Sequence, residues 1–118
     1  MIHAVVIDDE QNSRELLVNM LTNYLQSIEV IGQAGNVADA IRLIRDRSPD
    51  LVLLDIEMPG GNGFDVLKAF GSPLPFQVII ISGYNKQIAA DASLQFLCKP
   101  VDLRELDEMI RSCFPEGK

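Results

Sequence analysis

The sequence has no tryptophan, only two cysteines and no apolar stretch longer than four or five residues. A membrane-spanning helix needs about 20 apolar residues, so no membrane insertion is expected. Cys98 and Cys113 do not make a disulfide framework, and their spacing does not suggest a zinc site, so we expect two reduced core thiols. The first residues do not show a basic segment followed by a long apolar one, as a secretory signal would, and we expect a cytoplasmic location.

Basic residues are also scarce. The 118 residues include 10 lysines and arginines against 17 acids, which gives a net charge of −7. An acidic domain of this size repels phosphate backbones, so direct nucleic-acid binding by this chain is not expected. Hydrophobic residues make up 47% of the sequence, which is too much for a disordered chain and enough for one core. We therefore predict a single domain over residues 1–118.

Four apolar runs each end in residues that can bind phosphate or a metal ion. The runs and the residues that follow them are Ala4–Ile7 before Asp8 and Asp9, Leu51–Leu54 before Asp55, Val78–Ile81 before Ser82, and Phe96–Cys98 before Lys99. Continuous apolar runs without alternation are typical of parallel strands covered by helices on both faces. Together with a weaker strand at Glu29–Gly32, they predict an α/β fold: a flavodoxin-like, doubly wound sheet of five parallel strands in the order 2-1-3-4-5.

Helices are predicted between the strands from capping residues and apolar spacing. Two capping boxes are predicted, Asn12 with Glu15 before the first helix and Asp102 with Glu105 before the last one. Asn36 is predicted to cap the second helix, and a short third helix follows Gly63. Only 16 residues separate Ser82 from Lys99. The fourth helix, near residues 88–92, is therefore expected to be short, because a whole crossover needs at least about 10–12 residues.

The predicted strand order places the ends of strands 1 and 3 side by side, so Asp8, Asp9 and Asp55 should converge. Carboxylates this close repel each other by roughly 4 kcal/mol per pair at an intermediate dielectric, and Mg²⁺ relieves this repulsion. With the Lys99 ammonium and the Ser82 hydroxyl nearby, the set suits phosphoryl transfer to Asp55 as nucleophile. The sequence contains no glycine-rich nucleotide loop, so ATP bound by this chain is not the expected donor.

The same segments resemble the receiver domain of bacterial two-component response regulators over essentially the whole chain. The matching motifs are Val6–Glu10, Asp55–Pro59 with Gly63, Ser82–Tyr84 and Phe96–Pro100. The resemblance implies that Asp55 accepts a phosphoryl group from a histidine of a sensor kinase or a phosphotransfer protein. It also implies that the chain phosphorylates itself from a phosphodonor and dephosphorylates itself, rather than acting as a conventional enzyme.

The resemblance assigns further roles within this site. Mg²⁺ would be bound directly by Asp9, Asp55 and the backbone carbonyl of Glu57, with Asp8 acting mainly through water. Ser82 and Lys99 would bind phosphoryl oxygens. On phosphorylation, Ser82 would move inward and the switch aromatic Phe96 would follow, which would change an output face for a partner that the sequence does not identify. The short connection before Lys99 leaves the form of that output face open.

Three interpretations of the sequence remain open, and the first of them, a receiver domain, has two forms. The chain is either a stand-alone receiver or a receiver fragment of a larger multidomain regulator or hybrid kinase. It could also be a receiver-like binding module that works without phosphorylation. A phosphatase of the haloacid dehalogenase type is the third alternative, because Asp55-Ile56-Glu57 faintly matches its Asp-x-Asp signature, although that signature normally ends the first strand.

Overall fold

The computed structural model describes residues 1–58, 61–83 and 95–115 of the chain. Seven strands are present in these ranges: β1 (Ile2–Ile7), β2 (Ile28–Ala34), β3 (Leu51–Asp55), β4 (Glu57–Met58), β5 (Gly61–Asn62), β6 (Gln77–Ser82) and β7 (Gln95–Cys98). The helices within the same ranges are α1 (Gln11–Tyr24), α2 (Val37–Arg47), α3 (Gly63–Lys68) and α4 (Leu103–Cys113).

Five of these strands form one parallel sheet in the order β2-β1-β3-β6-β7. The two-residue strands β4 and β5 pair with each other in a separate antiparallel ribbon, so the predicted strands 4 and 5 correspond to β6 and β7. The predicted flavodoxin-like fold and its strand order are therefore confirmed. The short helix predicted near residues 88–92 lies outside the described residues.

The central strands are buried on both faces of the sheet. Val5 and Val6 are neighbours on β1, both are 0% exposed, and they belong to different core clusters on opposite sides. One cluster packs against α1 and α4, and the other packs against α2 and α3. This two-sided burial is the reason that β1, β3 and β6 appear in the sequence as apolar runs without alternation.

The helix starts agree with the sequence prediction only in part. Asn36 caps α2 as predicted, because its side chain accepts a hydrogen bond from the Asp39 amide at 2.8 Å. The capping box predicted at Asn12 is wrong: α1 begins at Gln11 with Glu10 as N-cap, and no side-chain cap bond forms. The Glu10 amide instead donates to the Asp8 carboxylate at 2.9 Å, which turns the chain into the helix earlier than predicted.

The predicted N-cap of the last helix is in the right place but lacks its side-chain bond. Asp102 precedes α4, yet its side chain accepts no capping hydrogen bond, so the predicted box with Glu105 is absent. A capping box that the sequence analysis did not predict forms at α3. There the Asn62 side chain accepts from the helix backbone, and Asp65 accepts from the Asn62 amide at 2.9 Å. This box fixes the start of α3 directly after the loop that follows β3.

Candidate functional site

Three aspartates meet at the carboxyl end of the sheet. Ile7 on β1 pairs with Leu54 on β3, so the residues that follow, Asp8 and Asp55, lie at the same edge. The structure brings Asp8, Asp9 and Asp55 together, with one carboxylate oxygen from each within 4.8 Å of the others. The side chains of Asp8 and Asp55 are only 5% and 6% exposed, whereas Asp9 is exposed. The edge of the sheet therefore carries a compact cluster of oxygen ligands.

Lys99 joins this cluster from β7. Its Nζ lies 3.0 Å from Asp8 Oδ2 and 3.3 Å from Asp55 Oδ2, so one ammonium bridges the two buried carboxylates. Its backbone amide donates to the Ser82 carbonyl at 2.9 Å, which ties the end of β7 to the end of β6. The bond between Lys99 and Pro100 is cis. The lysine side chain is 27% exposed and therefore lies at the boundary between the cluster and solvent.

The burial of these charges changes their proton affinities. Burial raises the pKa of Asp55 from 3.8 to about 6; the Lys99 charge opposes this rise, and the Asp8 charge adds to it. Burial by itself would lower the pKa of Lys99, but its hydrogen bond to Asp8 and the charge of Asp55 outweigh burial and raise that pKa above 10.5. The Asp55 carboxylate is therefore mostly ionised only when the pH exceeds about 6.

The loop after β3 folds closely around Asp55. The Glu57 amide donates to Asp55 Oδ1 at 3.2 Å, and the Gly63 amide donates to the Ile56 carbonyl at 2.7 Å. A Cβ on Gly63 would lie 2.6 Å from the backbone oxygen of Asp55, so no larger residue fits without a backbone shift. The glycine of the sequence motif is thus explained by a close approach of two backbone segments.

Ser82 and Phe96 lie on neighbouring strands near this edge. Ser82 is the last residue of β6, is 3% exposed and pairs with Cys98. Cys98 is exposed, so its predicted core position is wrong. Phe96 pairs with Ile80, two residues before Ser82, and is half-buried against the core cluster next to α2 and α3. The backbone bond from Lys99 to Ser82 links the serine to the cluster, whereas Phe96 lies further back along the sheet.

One residue that the sequence analysis did not single out contacts the cluster from outside. The Arg14 Nη1 atom donates to the backbone oxygen of Asp8 at 2.8 Å, and its Nε donates to the side-chain oxygen of Gln33 at 3.1 Å. One feature of the sequence could have pointed to Arg14: it is a positive charge in the first turn of a helix, where the helix dipole disfavours such a charge.

The cluster has the chemistry of a site for a hard divalent cation. Its donors are carboxylate oxygens from two adjacent strands, which suits Mg²⁺ better than a metal that prefers nitrogen or sulfur ligands. Lys99 neutralises part of the negative charge, and the remaining carboxylate charge can still attract a cation. A groove of about 580 Å³ borders Asp8 and Lys99, and apart from these two residues and Ser13 its lining is apolar.

Comparisons with known proteins agree with this geometry. Residues 4–111 match the family model described as the response regulator receiver domain. A response regulatory protein of Vibrio cholerae is 34% identical over 121 residues, which cover 100% of this chain and 51% of that protein. A protein-glutamate methylesterase/protein-glutamine glutaminase of Geobacter sulfurreducens is 38% identical over 104 residues, which cover 84% of this chain and 28% of that protein.

Solved structures agree as well. The signal receiver domain of the response regulator NarL from Mycobacterium tuberculosis superposes with a TM-score of 0.84 at 32% identity, covering 98% of this chain and 97% of that one. This chain spans about half the length of the first curated relatives that it matches, 51% and 47%. In the described ranges, none of the helices has the length and apolar character needed to cross a bilayer. The chain belongs to the response regulator receiver domain family, the phosphoacceptor modules of two-component signal transduction.

Proposed function

We propose that Asp55 is the phosphoacceptor of this receiver domain. In this proposal Asp8 and Asp9 help to bind the divalent cation, and Lys99 binds the phosphoryl group. One observation carries the proposal: Asp55 lies within 4.8 Å of two other carboxylates and 3.3 Å from the Lys99 ammonium. Burial also makes the charge of the Asp55 carboxylate unfavourable, because it raises the pKa of this group to about 6. A buried carboxylate that is still ionised at neutral pH is poorly solvated and is therefore suited to act as a nucleophile.

The proposed step is a direct transfer from a phosphorylated histidine of a kinase or phosphotransfer protein. An Asp55 carboxylate oxygen forms a bond to phosphorus while the bond between phosphorus and the donor nitrogen breaks. The electron pair of that bond stays with the imidazole ring, which leaves as a neutral group because its other nitrogen carries a proton. The transfer therefore needs no general base on this chain, and the product is an aspartyl phosphate.

Two residues near Asp55 would bind the oxygens of the transferred phosphoryl group. Lys99, already in contact with Asp55, would hold one phosphoryl oxygen by charge. The Ser82 hydroxyl, buried at the end of the adjacent strand β6, would donate a hydrogen bond to another. Because both side chains start from the ends of core strands, little ordering is needed when the phosphoryl group arrives.

We assign the divalent cation site to Asp8, Asp9, Asp55 and the backbone carbonyl of Glu57. The three carboxylates lie close enough to share one ion, and Glu57 follows Asp55 by two residues with its amide hydrogen-bonded to Asp55. When bound there, Mg²⁺ would supply positive charge beside the phosphoryl oxygens and offset the repulsion between an incoming phosphate and the acidic cluster.

Phosphorylation would be read out through Ser82 and Phe96. The two residues lie on the paired strands β6 and β7, and Phe96 is half-buried. A movement of Ser82 at the end of β6 can therefore be transmitted to the Phe96 ring through the pairing of these strands. In this proposal the phosphoryl group biases a two-state element by a local change of charge. Comparing the NMR signals of the Phe96 ring with and without beryllofluoride tests it; unchanged signals would contradict a switch role for this ring.

We extend the proposal to the whole chain as one receiver domain over residues 1–118, working in the cytoplasm with a histidine kinase or phosphotransfer protein as donor. The output partner is a separate protein or a further domain of a longer chain; the first curated relatives are about twice as long as this chain.

Incubation with Mg²⁺ and acetyl phosphate, followed by intact mass measurement, tests the phosphoacceptor assignment. We expect one added phosphoryl group on the wild-type protein and none on Asp55→Asn. Asp46→Asn is the matched control, because Asp46 is an exposed aspartate on α2 and should leave the adduct unchanged. Since rapid hydrolysis can hide an adduct, beryllofluoride binding should be measured in parallel. An adduct that persists in Asp55→Asn would refute the assignment.

A further inference from the structure

Arg14 connects the acidic loop to a neighbouring strand. Its guanidinium donates from Nη1 to the backbone oxygen of Asp8 at 2.8 Å and from Nε to the side chain of Gln33 at 3.1 Å. We propose that Arg14 is a positioning residue that fixes the Asp8–Asp9 peptide and thereby sets how tightly the carboxylate cluster binds a divalent cation. The inference rests on the proposed function, because it concerns the cation site of the same cluster.

The contact acts on the backbone between the two acids. The carbonyl oxygen of Asp8 and the amide nitrogen of Asp9 belong to one planar peptide unit. Holding that oxygen restricts rotation of the plane and so fixes the directions in which the two side chains leave the backbone. The effect matters most for Asp9, which is exposed and so depends on its backbone rather than on burial for its position.

Two further hydrogen bonds complete the support of this segment. The Asp8 amide donates to the Ala34 carbonyl of β2 at 3.1 Å, and the Glu10 amide donates to the Asp8 carboxylate at 2.9 Å. Arg14 adds the bond to the carbonyl and joins it to Gln33, which is itself on β2. The loop is therefore held from the strand on one side and from the first turn of α1 on the other.

The surroundings leave space for the guanidinium. A Cβ on Gly35 would lie 3.0 Å from Arg14 Nη1 and 3.7 Å from the Asp8 backbone oxygen. Any side chain at position 35 would crowd the Arg14 guanidinium and disturb its hydrogen bond to the Asp8 backbone oxygen.

The two contacts of Arg14 also depend on the shape of its guanidinium. Arginine can donate to two acceptors through different nitrogens of one rigid plane, whereas lysine offers a single point charge.

Arg14 differs from Lys99 in what it touches. Lys99 contacts the carboxylate oxygens themselves, so its charge acts on the same atoms that a cation would use. The Arg14 contacts are to a backbone oxygen and to a neutral amide side chain. Arg14 can therefore orient the ligands without competing for them, which is the usual work of residues that support metal ligands from outside.

Calorimetric titration with Mg²⁺ alone tests the inference on the full chain. We expect Arg14→Met to bind about ten-fold more weakly than wild type, within the range for lost outer contacts of a metal site. Arg14→Lys should restore only part of this loss, and Gln33→Met should weaken binding in the same direction. Arg111→Met is the control, because it removes an exposed arginine from the last turn of α4, at the opposite end of the fold, and should leave the affinity unchanged.

Two readouts separate positioning from general stability. In metal-free protein, hydrogen exchange of the Glu10 amide should become about ten-fold faster in Arg14→Met, the effect of losing one hydrogen bond to a charged group. The double variant Arg14→Met, Gln33→Met should bind Mg²⁺ with the same affinity as Arg14→Met. Both substitutions interrupt the same series of contacts, which runs from Gln33 through Arg14 to the Asp8 backbone oxygen. A lower melting temperature with unchanged Mg²⁺ affinity would mean that Arg14 is only structural and would overturn the inference.

A failure of the inference can be distinguished from a failure of the proposed function. If wild type binds Mg²⁺ and takes up a phosphoryl group on Asp55 while Arg14→Met binds Mg²⁺ equally well, only the role of Arg14 is refuted. If wild type neither binds Mg²⁺ nor accepts a phosphoryl group, the proposed function is refuted and the inference is refuted with it.

Discussion

Replacing the buried carboxylate of Asp55 by a neutral amide should stabilise the metal-free protein. The charge of Asp55 is unfavourable in the folded state even with Lys99 3.3 Å away, because burial and the neighbouring Asp8 outweigh that ion pair and raise the pKa to about 6. An asparagine has nearly the shape of a protonated aspartate and carries no charge at any pH. Asp55→Asn therefore removes the cost of ionisation and keeps the volume of the side chain.

The pKa gives the size and the sign of this effect. The difference between 3.8 and about 6 corresponds to about 3 kcal/mol, at about 1.4 kcal/mol per pKa unit. Because the folded pKa is the higher one, the folded state binds the proton more tightly and loses stability as the pH rises from about 4 to above 6. At pH 8 the variant should thus gain about 3 kcal/mol in free energy of unfolding, or about 10 °C in melting temperature.

Urea unfolding in EDTA at several pH values measures this gain. At pH 4 wild type and Asp55→Asn should differ by less than about 1 kcal/mol, since little of the cost of ionisation has accumulated there. Glu108→Gln makes the same change in net charge at an exposed position of α4 and should stay within about 0.5 kcal/mol of wild type at both pH values. Destabilisation by Asp55→Asn at pH 8, or a gain that persists at pH 4, would refute the reasoning.

Adding Mg²⁺ should reduce the difference between the two proteins. A ligand that binds only the folded state stabilises it by an amount that grows with its concentration above Kd. Wild type offers the cation three carboxylates, and the variant offers two. At a saturating Mg²⁺ concentration the gain from Asp55→Asn at pH 8 should therefore be smaller than in EDTA. An unchanged gain would show that Asp55 does not contribute to cation binding.

Three further substitutions have distinct expected outcomes. Lys99→Met leaves the carboxylates of Asp8 and Asp55 without their ammonium and should cost about 3 kcal/mol in EDTA at pH 8; urea unfolding should also show that Mg²⁺ restores part of this loss. Gly63→Ala places a methyl group 2.6 Å from the Asp55 backbone oxygen and should lower stability by about 2 kcal/mol, measured by thermal unfolding against wild type. Asn62→Ala removes the capping box of α3 and should cost about 1 kcal/mol in the same assay, whereas an unchanged melting temperature would show that the cap adds nothing.

The fold was predictable because hydrophobic pattern and burial point to the same structure. Each of the runs Ala4–Ile7, Leu51–Leu54 and Val78–Ile81 is apolar at every position, and each becomes a strand with helices on both sides. Once the strands are parallel, their ends must share one edge, so residues distant in sequence come together there without any further information.

The helix starts were harder to predict because capping is a competition between local hydrogen bonds. Before α1 the Asp8 carboxylate accepts a hydrogen bond from the Glu10 amide, and the helix begins two residues earlier than the Asn12 motif indicates. Before α3, by contrast, a capping box does form at Asn62, although the glycine-rich sequence before it is typical mainly of a turn. A four-residue motif shows which bonds can form, but the tertiary position of each competing side chain decides which bond does form.

Arg14 shows what a pattern of strand ends cannot predict. The rule that places Asp8, Asp9, Asp55 and Lys99 together concerns side chains that follow strands, whereas Arg14 belongs to a helix and reaches back six residues to a backbone oxygen. Its position does carry a signal of another kind. The first turn of α1 contains no acid and ends in an arginine, although the helix dipole favours negative charge there. An arginine that is unfavourable for its own helix and lies beside the acidic cluster is better explained by a role in the cluster than by a role in the helix. In the proposed role the contact with the Asp8 carbonyl supplies the reason, because a hydrogen bond that orients two acidic ligands would offset the energy lost at the helix terminus.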